Sequence, residues 1–280
     1  MTIVKPLTAA TLFFSLCVQS ALAQDGRIKG TGGVNSISGA GGGGLIPWAT
    51  LSSHASAQQD GGTLFATRTN VDDFSLDVIG LSASFKNRLE FSLARQEFTI
   101  KANNAQIEQD IIGVKLRVAG DLIFGNTPQL SIGAERHSLR DPATAFAVGA
   151  REDNGTDYYI SAARAWINGP FHRTTMLNIN ARYSRANQYG ILGYSGDEKD
   201  GAVALELAAA MFITRSWVIG AEFRQKPDNL SALKEDSARD IFVAWLPSKR
   251  WSVTAAYVDL GDIAGAADQT GYYLSLQGTF

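Results

Sequence analysis

Several features on which secreted and membrane folds often depend are scarce in this chain. It holds one cysteine in 280 residues, Cys17, so a disulfide-dense secreted scaffold is excluded. Beyond the first two dozen positions no run of 18 apolar residues occurs, which leaves no candidate for a membrane-spanning helix there. Apolar residues at helical spacing are also rare, which argues against a helical bundle. The three histidines, His54, His137 and His172, have no acidic partners at ligand spacing, so neither a metal nor a cofactor is expected. A formal net charge of −2 offers no broad basic surface for nucleic acid.

The chain opens with MTIVKPLTAATLFFSLCVQSALAQDG. Lys5 supplies a positive start, Leu7 to Val18 a mostly apolar stretch, and Ala21-Leu22-Ala23 a small-x-small cleavage site. Residues 1–23 therefore read as a signal peptide cleaved after Ala23, and they stand apart from the fold. Cys17 follows Leu16, where lipid acylation needs a small residue, so it reads as an ordinary apolar position of that peptide.

Period-two alternation dominates the remainder. In 111–118 Ile112, Val114, Leu116 and Val118 oppose Lys115 and Arg117. In 174–185 Leu177, Ile179, Ala181 and Tyr183 oppose Asn178, Asn180, Arg182 and Ser184. In 202–213 Val203, Leu205, Leu207, Ala209 and Met211 oppose Glu206. In 217–224 Trp217, Ile219, Ala221 and Phe223 oppose Glu222 and Arg224, and 251–258 alternates in the same way. Less regular segments near 62–70, 74–85, 89–100, 128–139, 157–167, 239–247 and 271–280 bring the series to twelve strands. In 89–95 the apolar alternation ends at Arg95, which marks either a bulge or the end of the buried zone.

Connections alternate in length. Tight turns are expected at 86–88, 168–170, 214–216 and 247–249, with 119–127 the longest on that side. Longer polar stretches fall at 101–107, 140–156, 186–200, 227–238 and 260–270. Short turns on one rim and long loops on the other are the anatomy of an outer-membrane barrel. Phe85, Trp166, Phe171, Phe212, Trp217, Trp245 and Trp251 flank the tight turns, as a belt at a membrane–water interface requires.

The last segment, GYYLSLQGTF, alternates up to Phe280. A sheet that spans lipid must close so that no edge is left unpaired, and so the last strand is expected to pair with the first. Tyr272, Leu274, Leu276 and Phe280 also match the carboxy-terminal pattern read by the barrel-assembly machinery. Outer-membrane lipids, that machinery and periplasmic chaperones are the expected partners.

Residues 24–61 are rich in glycine, with GAGGGG at 39–44. Either they add a hairpin and raise the count from twelve strands to fourteen, or they fold into the lumen as a plug. The barrel proper is expected over 62–280. The expected fold is therefore an all-β transmembrane antiparallel up-and-down barrel of 12 to 14 strands, with short periplasmic turns and longer extracellular loops.

The segments GGVNSISGAGGGGLIPWAT (32–50), NVDDFSLD (70–77), ARQEF (94–98), QDIIGVKLR (109–117), GTDYYISA (155–162), KPDNL (226–230), FVAWLPSK (242–249) and AYVDLGDIA (256–264) resemble a family of proteobacterial outer-membrane β-barrel proteins, classed as a domain of unknown function. The resemblance runs over essentially the whole chain after residue 23. It implies fold and location, and no activity or functional residue.

His54 and Ser56 stand at the His-x-Ser spacing of an outer-membrane phospholipase, which would make a membrane-surface lipase. The surrounding residues do not match that motif and no orienting partner is evident, so no catalytic residue is assigned and an enzyme is not expected. Asp72-Asp73, Asp197-Glu198 and Glu235-Asp236 read as solvated loop acids. The charges on the polar strand faces are more informative: Lys115, Arg117, Glu135, Arg182, Glu206, Glu222 and Arg224. They would either line a water-filled pore or pair across a closed lumen and fill it. Their mixed signs predict no strong ion selectivity. A porin-like channel for small solutes and a structural or partner-binding barrel with a blocked lumen are the two leading functional expectations.

Overall fold

The computed structural model describes residues 29–280. The expected signal peptide and its cleavage site after Ala23 lie outside the described residues. The first elements are short: β1 (Val34–Asn35) and β2 (Gly41–Gly42) form a small antiparallel ribbon. Twelve strands follow: β3 (Gly61–Val71), β4 (Phe74–Phe85), β5 (Leu89–Ile100), β6 (Ala105–Ala119), β7 (Gln129–Leu139), β8 (Asn154–Trp166), β9 (Thr175–Ser184), β10 (Ala202–Phe212), β11 (Trp217–Arg224), β12 (Ala238–Trp245), β13 (Trp251–Asp259) and β14 (Thr270–Thr279). One short helix, α1 (Ala143–Ala147), lies in the β7–β8 connection.

Each strand from β3 to β14 pairs with its neighbour in the chain, and β14 returns to β3 from Gly271↔Val71 to Thr279↔Thr63. Phe280 and Gly62 extend the seam by exchanging backbone hydrogen bonds of 2.7 and 2.9 Å. The result is a closed twelve-stranded antiparallel barrel with no edge. The fourteen-strand alternative is not adopted, because residues 29–60 contribute no strand to the wall.

The alternation predicted from sequence sorts residues between two faces. Ile79, Ile112, Ile160, Ile179, Val203 and Ile241 point outward and are exposed, while Ser82, Ser92, Gln96, Lys115, Asn180 and Glu206 point inward and are buried. An exposed apolar surface that encircles the molecule is unfavourable in water and favourable against hydrocarbon. Two aromatic girdles bound it. Trp166, Trp217, Trp245 and Trp251 point outward at the short-turn rim, with the Trp217 and Trp245 rings stacked at 6.0 Å. Tyr158, Tyr183, Tyr257 and Tyr272 point outward near the opposite rim, a second belt that the sequence reading did not single out. Leu274 and Leu276 sit between the belts on β14.

Toward the long-loop rim, charged side chains pair on the outer face. Arg95 Nε donates to Asp110 Oδ1 at 2.8 Å, and Arg140 also engages Asp110. The β5–β6 register runs through Arg95↔Asp110 without a shift, so Arg95 marks the end of the apolar band and not a bulge.

Three sequence expectations need correction. β6 begins at Ala105, so the connection placed at 101–107 is only 101–104. The connection centred on 168–170 spans 167–174, with a tight turn of 3-10 helix at Pro170–His172. Phe212 does not join the outer girdle; it continues the inward series Ala208, Ala210, Phe212 and packs inside the barrel.

Replacing Ile179, at the middle of β9, with Arg should destabilise the barrel in lipid vesicles by about 2–4 kcal/mol, the cost of a cation at the bilayer midplane. Chemical unfolding followed by heat-modifiable gel mobility measures it.

Candidate functional site

The lumen is filled by the chain's own amino-terminal segment. From Lys29, whose Nζ donates to Pro247 O at the short-turn rim (3.1 Å), the backbone rises into the barrel. It turns through the β1–β2 ribbon and returns to the same rim, where Lys86 Nζ donates to Gln58 O. Residues 34–53 are buried throughout. Their partners come from strands all around the wall, which is possible only for a segment inside the ring.

Two glycines are explained by close approaches, one to the wall and one within the plug. A Cβ on Gly43 would stand 1.8 Å from Glu222 Oε1, and one on Gly41 would stand 2.4 Å from Ser52 N. No side chain fits at either point.

Wall charges bind the plug through its backbone. Glu90 on β5 accepts from Gly41 N (2.9 Å) and Ser52 N (2.5 Å). Lys115, 1% exposed, donates to Gly41 O (2.6 Å) and Thr50 O (2.9 Å) and lies 3.3 Å from Glu90. On the opposite wall Glu222 accepts from Leu45 N (2.8 Å) and the Trp48 indole N–H (3.2 Å). Arg224 donates to Leu45 O at 2.9 Å. Asn178 and Asn180 receive and reach Ala49 N and Pro47 O. Buried peptide groups of an irregular segment need partners, and here the barrel wall supplies them.

Above the plug lies an ion cluster. Arg182, 1% exposed, donates from Nε to Glu206 Oε1 (2.6 Å) and from NH1 to Glu135 Oε2 (2.8 Å) and Asp157 Oδ2 (3.4 Å). Arg224 Nε stands 3.3 Å from Glu206, and Ser38 of the plug donates to Glu135 at 2.8 Å. Six of the seven charges named from sequence thus meet the plug or this cluster. Arg117 does not. It lies near the short-turn rim and donates to Gly120 O and Asp121 Oδ2, clipping the β6–β7 connection. Sequence reasoning missed Glu90, Asp157 and Asp240, all on inward positions. The signal for Glu90 was its alternation with Ser92, Ala94 and Gln96. Asp157 lies near the start of β8, where the frame was unclear.

The long-loop end is closed as well. Connection 185–201 folds over the lumen, burying Tyr189, Ile191, Leu192 and Tyr194. Tyr189 lies against the Arg224 guanidinium, 4.2 Å from its ring centroid. Lys226 on the next connection donates to Gln188 Oε1, Leu260 O and Asp262 O, tying three loops together. Glu235, expected as a solvated loop acid, instead accepts from Gln188 N at 2.7 Å, and its other oxygen is buried without a hydrogen-bond partner. Burial pushes its carboxyl up to about 7, against an ordinary 4.5, although Lys226 pulls the other way. Burial correspondingly lowers the Lys226 ammonium.

His54 and Ser56 lie outside any strand, and Ser56 Oγ accepts the Gln58 N–H at 3.3 Å in a turn. The shared strand face that a His-x-Ser hydrolase pair requires is absent. Among the described residues no cluster of His, Cys, Asp or Glu has the geometry to hold a metal ion.

Two outcomes test this arrangement. Arg182→Met leaves Glu135, Asp157 and Glu206 buried without their shared cation and should lower unfolding stability by about 3–5 kcal/mol. Arg239→Met, which breaks the exposed pair with Asp259, should change it by under about 1 kcal/mol. For the lid, a raised folded pKa means docking is strongest with Glu235 protonated, fully so below 4.5, and weakens as pH rises through about 7. Hydrogen-exchange protection factors for 186–194 should therefore fall between pH 5 and 8, and Glu235→Gln should flatten that fall.

No curated protein matches the chain. Similar solved folds include the KdgM porin, with 12% identity over 78% of this chain and 99% of that chain, TM-score 0.48. The NanC porin matches at 9% identity over 78% and 98%, TM-score 0.46. Omp33 of Acinetobacter baumannii matches at 12% over 78% and 97%, TM-score 0.44. At these scores they carry no argument about cargo or activity. The model of the family described as protein of unknown function DUF3034 matches residues 31–277; with nearly the whole barrel and its plug inside that match, the chain belongs to this family.

Proposed function

We propose that this porin-like barrel is a plugged conduit of the outer membrane, closed in its resting state by residues 29–56. Export by the signal peptide with cleavage after Ala23, and insertion by the barrel-assembly machinery with periplasmic chaperones, complete this reading. The short turns would then face the periplasm and the lid the exterior.

The observation that carries the proposal is the use of the lumen charges. In an open pore, inward charges face water and act on passing solutes. Here Glu90, Lys115, Glu222 and Arg224 are spent on plug backbone, and Arg182, Glu135 and Glu206 on one another. A lumen with its charges so engaged leaves few of them free to line a water path. Passage of a solute requires the plug to move, and the many single contacts between plug and wall allow that without breaking the wall. The blocked-lumen and channel readings become two states of one molecule.

Planar-bilayer recording tests this. The intact protein should be silent or open only in brief steps. A variant lacking residues 29–56 should conduct steadily, and Gly43→Val, which drives a side chain into Glu222, should raise the frequency of openings. Steady conductance of the intact protein at the level of the deletion variant would refute the plug.

A further inference from the structure

The lumen carries its ion cluster at mid-height, while at the short-turn end one side of it is apolar. There the inward positions of β10 to β12 are Phe212, Val218, Phe242 and Ala244, followed by Leu246. On β4 and β5 the corresponding inward positions are Ser84, Glu90 and Ser92. The apolar sector faces Trp48 and Val34 of the plug, and Leu122 and Ile123 of the β6–β7 connection fold beneath it. Between them lies a cavity of about 80 Å³, lined almost wholly by carbon. One water needs only about 10–15 Å³, and an apolar cavity does not retain water that finds no hydrogen-bond partners. The space suits part of an alkyl chain.

The cavity opens toward a recess at the same rim, with Lys29, Ile167, Thr174 and Phe212 lining both. The recess adds His172, Arg173 and Arg215, and no acidic side chain lines it among the described residues. Lys29 is held by the carbonyls of Leu246 and Pro247 and by Ser216 Oγ, and Arg173 donates to Ile213 O at 2.7 Å. Carbonyl oxygens position these cations without neutralising them. A concentrated positive charge beside an oily chamber, in a chain of net charge −2, complements one kind of molecule: an alkyl chain with an anionic end.

We propose that this chamber and recess form a binding site for a single-chain anionic amphiphile of the fatty-acid class. The chain lies between Trp48 and the β10–β12 wall, and the carboxylate sits among Lys29, Arg173 and Arg215. Entry is from the short-turn rim. The site rests on the plug being seated, because Trp48 and Val34 form one of its walls.

The test uses the full protein in nanodiscs with Trp166, Trp217, Trp245 and Trp251 changed to Phe, so that Trp48 alone reports. Heat-modifiable mobility checks that each variant is folded. Iodide added first reads the plug: strong quenching of Trp48 would mean the plug is displaced, which is failure of the closed-conduit reading and not of the site. With Trp48 shielded, titrated bromodecanoate should quench it saturably. Lys29→Glu combined with Arg173→Glu and Arg215→Glu should weaken apparent affinity at least tenfold, and Ala210→Phe, which fills the chamber, should abolish saturation. Three results would overturn the proposal: no saturable quenching, equal quenching by the neutral methyl ester, or indifference to the charge reversals. The last two would mean an apolar chamber without headgroup recognition.

Discussion

Everything in this molecule follows from the need to pair peptide groups away from water. In hydrocarbon an unpaired N–H or C=O is costly, and β14 must therefore meet β3 along its whole length, as it does from Gly271 to Thr279. The same rule operates a second time inside the ring. Beyond the β1–β2 ribbon and its turns the plug is irregular, and many of its peptide groups lack backbone partners. Glu90, Lys115, Asn178, Asn180, Glu222 and Arg224 supply donors and acceptors in their place. Outer wall and inner plug are two solutions to one accounting problem.

Buried charge is a weak route to stability, because desolvation offsets most of the attraction. Its arrangement here serves placement. Each lumen carboxylate or cation has a fixed direction set by its strand, and each meets a particular peptide group or partner. A plug out of register would leave several of these charges unmatched. The geometry selects a single seating.

The interior is also divided into sectors. Ionic contacts gather at mid-height around Arg182 and Lys115, whereas carbon dominates near the short turns on the β10–β12 side and, under the lid, around Val71, Phe74, Phe98 and Ile191. The inward face of a barrel strand is under no pressure from lipid, so its composition is free to follow what occupies the lumen. Phe212, Val218 and Phe242 are therefore signals about contents and not about the bilayer.

How much was legible beforehand depended on range. Period-two alternation in 111–118, 174–185 and 217–224 fixed which side chains face out, because a strand's pleat is a local property. Turn spacing then set the rims, and the chain-order pairing of an up-and-down barrel followed. Frames blurred at Arg95 and Asp157, where strands leave the apolar band and the alternation no longer reports burial. The course of residues 29–60 was a different matter: a glycine-rich stretch specifies no conformation of its own, since its backbone is permissive. Whether it joined the wall or filled the lumen was decided only by what the closed ring offered it, namely carboxylates, amides and cations converging from strands distant in sequence. The sequence by itself determined a closed sheet with an oily exterior, and tertiary structure alone decided that the interior would be occupied, because each contact holding the plug joins residues that no local pattern connects.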